Sequence, residues 1–114
     1  MTEDPDYKDL ARLAVADAER QPHDTAVLLH AAMMLLHSGD TAQSKRFARA
    51  ALSVDPASFS ALRTLSGILD AVGERAEAIS IGKEAIGVAP ANAEIRLHVG
   101  AMLAAERQWK EAAE

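Results

Sequence analysis

A chain of 114 residues is long enough for one domain and too short for two. Apolar residues make up 49% of it and aromatic residues only 4%, and alanine, which favours closely packed helices over strands, supplies much of the apolar share. The net charge of −5 argues against nucleic acid or an anionic membrane as the main partner, and the lack of cysteine excludes disulfides. Residues 1–9 are acidic where a secretory signal needs a basic region and an apolar run, so we expect a cytoplasmic protein.

The sequence repeats with a period of 34 residues, which three prolines mark: Pro22, Pro56 and Pro90. When each proline is numbered as position 32 of a unit, position 34 always holds a side chain that can cap a helix N terminus. These residues are Asp24, Ser58 and Asn92. Position 15 is Gly39 in one unit and Gly73 in the next, and glycine suits the left-handed residue that ends a helix.

Each unit therefore predicts a helix, a glycine turn, a second helix and a proline turn. In chain order we expect helices over residues 5–20, 24–37, 41–54, 58–71, 75–88 and 92–105, with a seventh starting near Trp109. The apolar spacing within them is helical, as in Leu62, Leu65, Leu69 and Val72.

These units resemble the tetratricopeptide repeat family, whose unit is a helix–turn–helix of 34 residues. The family pattern asks for large apolar residues at positions 4, 7 and 11, a small residue at position 8, and alanine at positions 20 and 27. The matching residues are Leu28, Leu62, Leu65, Ser66, Leu69, Val99, Gly100, Leu103, Ala51, Ala78, Ala85 and Ala112. The departures are Arg96 at position 4, Ser44 at position 20, Asp17 at position 27, and Ala48 and Gly82 at the usually aromatic position 24.

The resemblance implies an all-α fold: a right-handed superhelical stack of antiparallel helix pairs, with about seven helices. It divides the chain into a half repeat (residues 1–22), two repeats (25–58 and 59–92) and an incomplete repeat (93–114). Residues 108–114 supply neither a full helix nor a C-cap, so we expect the natural protein to continue beyond Glu114.

The four histidines, among them His30, His37 and His98, could suggest a metal or catalytic site. His30 and His37 lie two helical turns apart, roughly 10 Å, which is too far for one zinc ion that binds its ligands at about 2 Å. No nucleophile–base pair and no phosphate-binding glycine loop is present in the sequence. We therefore expect no enzymatic activity, no cofactor and no metal.

In this family the first helix of each unit lines a concave groove that holds a peptide. Carried over by position, the expected groove residues are Leu29, His30, Met33, Leu36, His37, Arg63, Thr64, Leu97 and His98, with Gly67 and Glu94 also at groove positions. Leu29, Met33 and Leu36 fall on successive turns and form one stripe open to water, whereas Leu28 and Leu35 should point into the core.

Some members of the family grip a peptide's terminal carboxylate with a clamp of lysine, asparagine and arginine. The corresponding places here hold Leu29, Met33, Thr64, Glu94 and His98, so we expect no such clamp.

The leading hypothesis is a protein-interaction module that binds a peptide or a partner helix in the groove. One alternative is a regulatory or targeting segment of a larger protein or enzyme. Another is a scaffold that self-assembles into a homo-oligomer through its end helices, because unpaired end helices in repeat proteins favour stacking.

Overall fold

A computed structural model describes the backbone of residues 6–113 and the side chains of residues 6–111. These residues form six α-helices and no strand, which confirms the all-α fold class. The helices are α1 (Tyr7–Arg20), α2 (Thr25–Ser38), α3 (Thr41–Val54), α4 (Phe59–Ala71), α5 (Arg75–Val88) and α6 (Ala93–Ala113). The predicted helix start at residue 5, the first five residues of the half repeat and Glu114 lie outside the described residues.

The capping side chains that recur with the period do cap the first helices. Asp24 accepts from the backbone N–H of Val27 at 3.2 Å, Ser58 from Ala61 at 3.1 Å, and the Asn92 Oδ1 from Ile95 at 3.0 Å. Each bond satisfies one of the free N–H groups of a first turn, which fixes where the helix begins.

The glycine turns end α2 and α4 as predicted, but the third unit lacks one. Gly39 and Gly73 have φ of 93° and 87°, the left-handed conformation that other residues adopt only with strain. The equivalent position of the last unit is Arg107, a good helix former, and α6 runs straight through it to Ala113. The seventh helix expected near Trp109 is therefore part of α6, and the described chain has six helices where about seven were expected.

The chain forms two compact units, one ending at Pro56 and the other beginning at Ala57. In the first unit α2 contacts both α1 and α3. Most of the buried side chains are alanines, whose small size lets these helices approach closely. The buried residues are Ala11, Ala14, Ala18, Leu28, Ala31, Ala32, Leu35, Ser44, Phe47, Ala48 and Ala51. Leu28 and Leu35 lie in this core, as the resemblance to the tetratricopeptide pattern implied.

In the second unit α5 contacts both α4 and α6, and its glycine at position 24 sets the distance to α6. A Cβ added at Gly82 would lie 2.6 Å from Cγ2 of Val99 and 3.3 Å from Oγ of Ser66. Val99 and Met102 thus fill the space that an aromatic side chain at position 24 usually takes. No described helix is both long and apolar enough to cross a membrane.

Candidate functional site

The first candidate surface lies on α2 and consists of Leu29, Met33 and Leu36, here called the α2 stripe. All three side chains are half-buried, next to the fully buried face that carries Leu28 and Leu35. The stripe is therefore partly accessible, although less open to water than its groove positions in the family pattern implied.

Helix α2 is apolar around almost its whole circumference. Of its 14 residues only Ala26, His30 and His37 are exposed. The helix contains no Asp, Glu, Lys or Arg. A helix of this kind is normally buried on all sides, because its faces gain free energy by leaving water. The partly open stripe of Leu29, Met33 and Leu36 is a departure from that rule.

One of the two histidines on α2, His37, contacts an aromatic ring. His37 is stacked under Tyr7 of α1, with ring centroids 4.9 Å apart and an interplanar angle of 29°. Such an offset ring contact adds to the apolar contact between the two helices. The sequence placed His37 in the groove, and its contact with Tyr7 was not predicted because the two residues lie 30 positions apart.

The second candidate surface lies within the second unit, between α4 and α6, and is here called the α4–α6 notch. Its cavity of about 140 Å³ is lined by Arg63, Gly67, Glu94, Ile95 and His98. Four of these five residues occupy the expected groove positions, and Ile95 forms the buried floor. Thr64 and Leu97, also expected in the groove, do not line the notch; Thr64 is half-buried and Leu97 is exposed.

Two polar contacts organise the notch. Arg63 Nη2 donates to Glu94 Oε1 at 2.5 Å, which joins α4 to α6 by an ion pair with both side chains partly exposed. His98 Nε2 lies 3.4 Å from Ser66 Oγ. The Ser66 hydroxyl already donates its single hydrogen to the Ala78 carbonyl at 2.8 Å, so the imidazole nitrogen is the donor in this contact.

A larger cavity of about 690 Å³ lies where the α4–α5 turn faces the end of α6, and none of the expected groove residues line it. Its walls are Gly73, Glu74, Arg75, Ala76, Glu77, Glu106 and Trp109. Trp109 reaches this place because α6 continues past Arg107, which the sequence pattern did not predict. Among the residues that the structure describes, no group of three or more histidines and carboxylates is close enough to hold a metal ion.

No family model matches this sequence, and no curated protein matches it. Solved structures do. The first TPR of Spaghetti (RPAP3), bound to the HSP90 peptide SRMEEVD, superposes with a TM-score of 0.79 at 13% identity, over 89% of this chain and 80% of that one. The type III secretion chaperone SycD of Yersinia enterocolitica, in complex with a peptide of the translocator YopD, gives 0.77 at 20% identity, over 91% and 82%.

A third similar structure is TTC0263, a thermophilic TPR protein of Thermus thermophilus. It has a TM-score of 0.77 at 14% identity, and the match covers 85% of this chain but only 50% of that one. The TM-scores establish a shared fold, whereas identities this low show nothing about the ligands of this chain. The chain is therefore a protein with the tetratricopeptide repeat fold.

Proposed function

We propose that this chain is a non-catalytic protein-interaction module that binds an apolar peptide segment or partner helix on the α2 stripe. The observation that carries the proposal is the apolar circumference of α2, whose stripe of Leu29, Met33 and Leu36 stays partly accessible. The alternative in which the chain serves as a regulatory or targeting segment of a larger protein uses the same surface.

The chemistry of the stripe favours an apolar ligand. Completing the burial of Leu or Met side chains stabilises a complex by up to roughly 1.5–3 kcal/mol for each side chain. Three such anchors on successive turns match the spacing that an amphipathic helix or an extended peptide presents to a groove. Methionine adds adaptability, because its unbranched side chain fits differently shaped partners.

The similar structures support a peptide ligand in general terms, since two of them hold peptides of HSP90 and YopD. The acidic HSP90 peptide is a poor model for the ligand of this chain, because apolar residues and Glu94 stand where a carboxylate clamp needs lysine and asparagine. We place the apolar anchor on α2 and assign the α4–α6 notch, with Arg63 and His98, a secondary role in polar contacts.

The same proposal keeps the repeat boundaries of residues 25–58 and 59–92, flanked by the half repeat 1–22 and the incomplete repeat 93–114. The helix pairs α2–α3 and α4–α5 fall within the two full repeats, which supports this division.

The test is to select binders from a random peptide display library on the immobilised chain and to map them by NMR. We expect selected peptides to be rich in Leu, Ile, Phe or Met and to shift the resonances of Leu29, Met33 and Leu36. Ligands that shift only the exposed face of α3, or a selection that yields only acidic C-terminal peptides, would contradict the proposal.

A further inference from the structure

By its position in the repeat, helix α1 is the second helix of a unit, as α3 is. The face that is buried on α3 is exposed on α1. Leu10 and Leu13 correspond to Ser44 and Phe47, each 34 residues later. Ser44 is fully buried and Phe47 is 7% exposed, whereas Leu10 is 37% and Leu13 65% exposed. In the described residues of the first unit, α1 contacts α2 through its alanines and leaves these leucines toward solvent.

By its position in the repeat, helix α6 is the first helix of a unit, as α4 is. Arg96, Gly100 and Leu103 correspond to Leu62, Ser66 and Leu69 of α4, which are all buried. The α6 residues are exposed, Leu103 to 43%, and a Cβ at Gly100 would meet nothing within 4 Å. Among the residues that the structure describes, the face of α6 on which the second helix of a unit would pack is thus exposed.

We propose that α6 of one copy of this chain packs against α1 of a second copy, so that the two helices together form one complete repeat. The exposed face of α6 is the one on which the second helix of a repeat packs. Helix α1 is such a second helix, and its corresponding face is exposed as well. Repeat proteins bury a continuous core by this kind of stacking, which makes a second copy of the chain the partner that fits.

The side chains at the closest crossing of the two helices complement each other in size. Within the chain this crossing pairs position 8 with position 20, and both members are small: Ala32 with Ser44, and Ser66 with Ala78. Across two copies the same crossing would pair Gly100 with Leu10. The missing side chain of the glycine leaves room for the larger leucine, so the combined volume stays suitable for close packing.

The charges on the two faces also complement each other. Position 4 is a buried leucine in the two full repeats but Arg96 in α6, and position 27 is a buried alanine in both but Asp17 in α1. Antiparallel helices that cross at positions 8 and 20 bring positions 4 and 27 to the same end, and both side chains tilt toward each other because each leans toward its own helix N terminus. The two departures from the repeat pattern therefore form an arginine–aspartate pair.

Both partners of this pair are available. Asp17 is bonded to Arg20 on its own helix, an exposed contact between residues three apart that is easily shared or exchanged. Arg96 has no ion-pair partner among the residues that the structure describes. Because the two faces differ, the contact is head-to-tail, and each copy keeps one open face for a further copy.

A charge exchange tests this contact on the full chain, with sedimentation velocity over a wide concentration range as the measurement. We expect the wild-type chain to associate increasingly with concentration. Arg96→Asp and Asp17→Arg should each weaken association at least about tenfold, because each places like charges together. An equimolar mixture of the two variants, and the double variant, should recover it, since contacts between unlike variants in the mixture, and all contacts of the double variant, again pair opposite charges. Lys83→Asp on α5 makes the same change of charge elsewhere and should associate like the wild type.

Circular dichroism should show the same helicity for all variants, because Arg96 is exposed and Asp17 only half-buried. Peptides that bind the α2 stripe should bind every variant equally, which separates this contact from the proposed function. A chain that is monomeric at all concentrations, single variants that associate like the wild type, or a mixture that stays monomeric would each overturn the proposal.

Discussion

The hydroxyl of Ser44 on α3 donates a hydrogen bond of 2.7 Å to the carbonyl oxygen of Ala32 on α2, twelve residues earlier. The next helix pair has the same contact with the roles exchanged, since Ser66 on α4 donates to Ala78 on α5 at 2.8 Å. Both serines are fully buried. One alanine and one serine at each crossing let the helix backbones approach closely while the hydroxyl keeps a partner.

Replacing Ser44 with valine should lower the free energy of unfolding by about 1–3 kcal/mol, because valine carries two methyl groups where serine has one hydroxyl, and the added volume does not fit at this crossing. Ser44→Ala loses only the hydroxyl and its hydrogen bond, and should cost about 0.5–1.5 kcal/mol. Urea denaturation followed by circular dichroism measures both. An equal loss in the two variants would mean that the hydrogen bond, and not the close approach, controls stability here.

Gly82→Ala should destabilise the chain by about 1–3 kcal/mol, because the new Cβ meets the stiff side chain of Val99. Gly87→Ala on the same helix is the matched control: nothing lies within 4 Å of its Cβ, so it should stabilise by roughly 0.5–1 kcal/mol. Thermal unfolding of the pair gives shifts of opposite sign if the contact with Val99 is as close as the structure shows. Two stabilising substitutions would contradict it.

Met33→Glu should weaken binding of a selected apolar peptide at least about tenfold, since a carboxylate replaces a side chain that the complex buries. Because Met33 is only half-buried, helicity should stay nearly unchanged. Ala42→Glu, on an exposed position of α3, adds the same charge and should leave affinity unchanged. Isothermal titration calorimetry measures both variants. Unfolding of Met33→Glu would show that the α2 stripe belongs to the core.

Arg107→Gly should loosen the last turns of α6, because glycine within a helix costs about 1 kcal/mol relative to a good helix former. Backbone amide exchange of residues 108–113 should become faster, with the exchange of α4 and α5 unchanged. Arg107→Ala keeps a helix former at this position and should exchange like the wild type. Unaltered protection in the glycine variant would mean that contacts of the α6 end, and not its helix propensity, hold it straight.

Most of the fold could be predicted because the features that define the repeat, helix caps and glycine turns, act between residues close in sequence. Asp24 and Ser58 cap helices through bonds to residues three positions on, and Gly39 ends α2 through its own φ angle. Such features depend on local sequence alone. The seventh helix was wrongly separated from α6 because the repeat register was followed at a position where the local residue, Arg107, favours helix over turn.

Less of the candidate site could be predicted, because its contacts join residues that are distant in sequence. The spacing of Leu29, Met33 and Leu36 identifies a common face but says nothing about how far neighbouring helices cover it. Arg63 and Glu94 lie 31 residues apart, and their pairing depends on how α4 and α6 approach each other. The space that Gly82 leaves for Val99 likewise depends on tertiary packing and has no local signal.

The ion pair between Arg63 and Glu94 has a consequence for selectivity. A ligand carboxylate that approaches Arg63 meets a cation that already holds a carboxylate, so Glu94 acts as a competitor built into the protein. Exchanging one exposed pair for another leaves the number of ion pairs unchanged, and an exposed pair is worth at most about 1 kcal/mol. An acidic ligand therefore gains little binding free energy at Arg63. Discrimination between peptides depends on their apolar side chains instead.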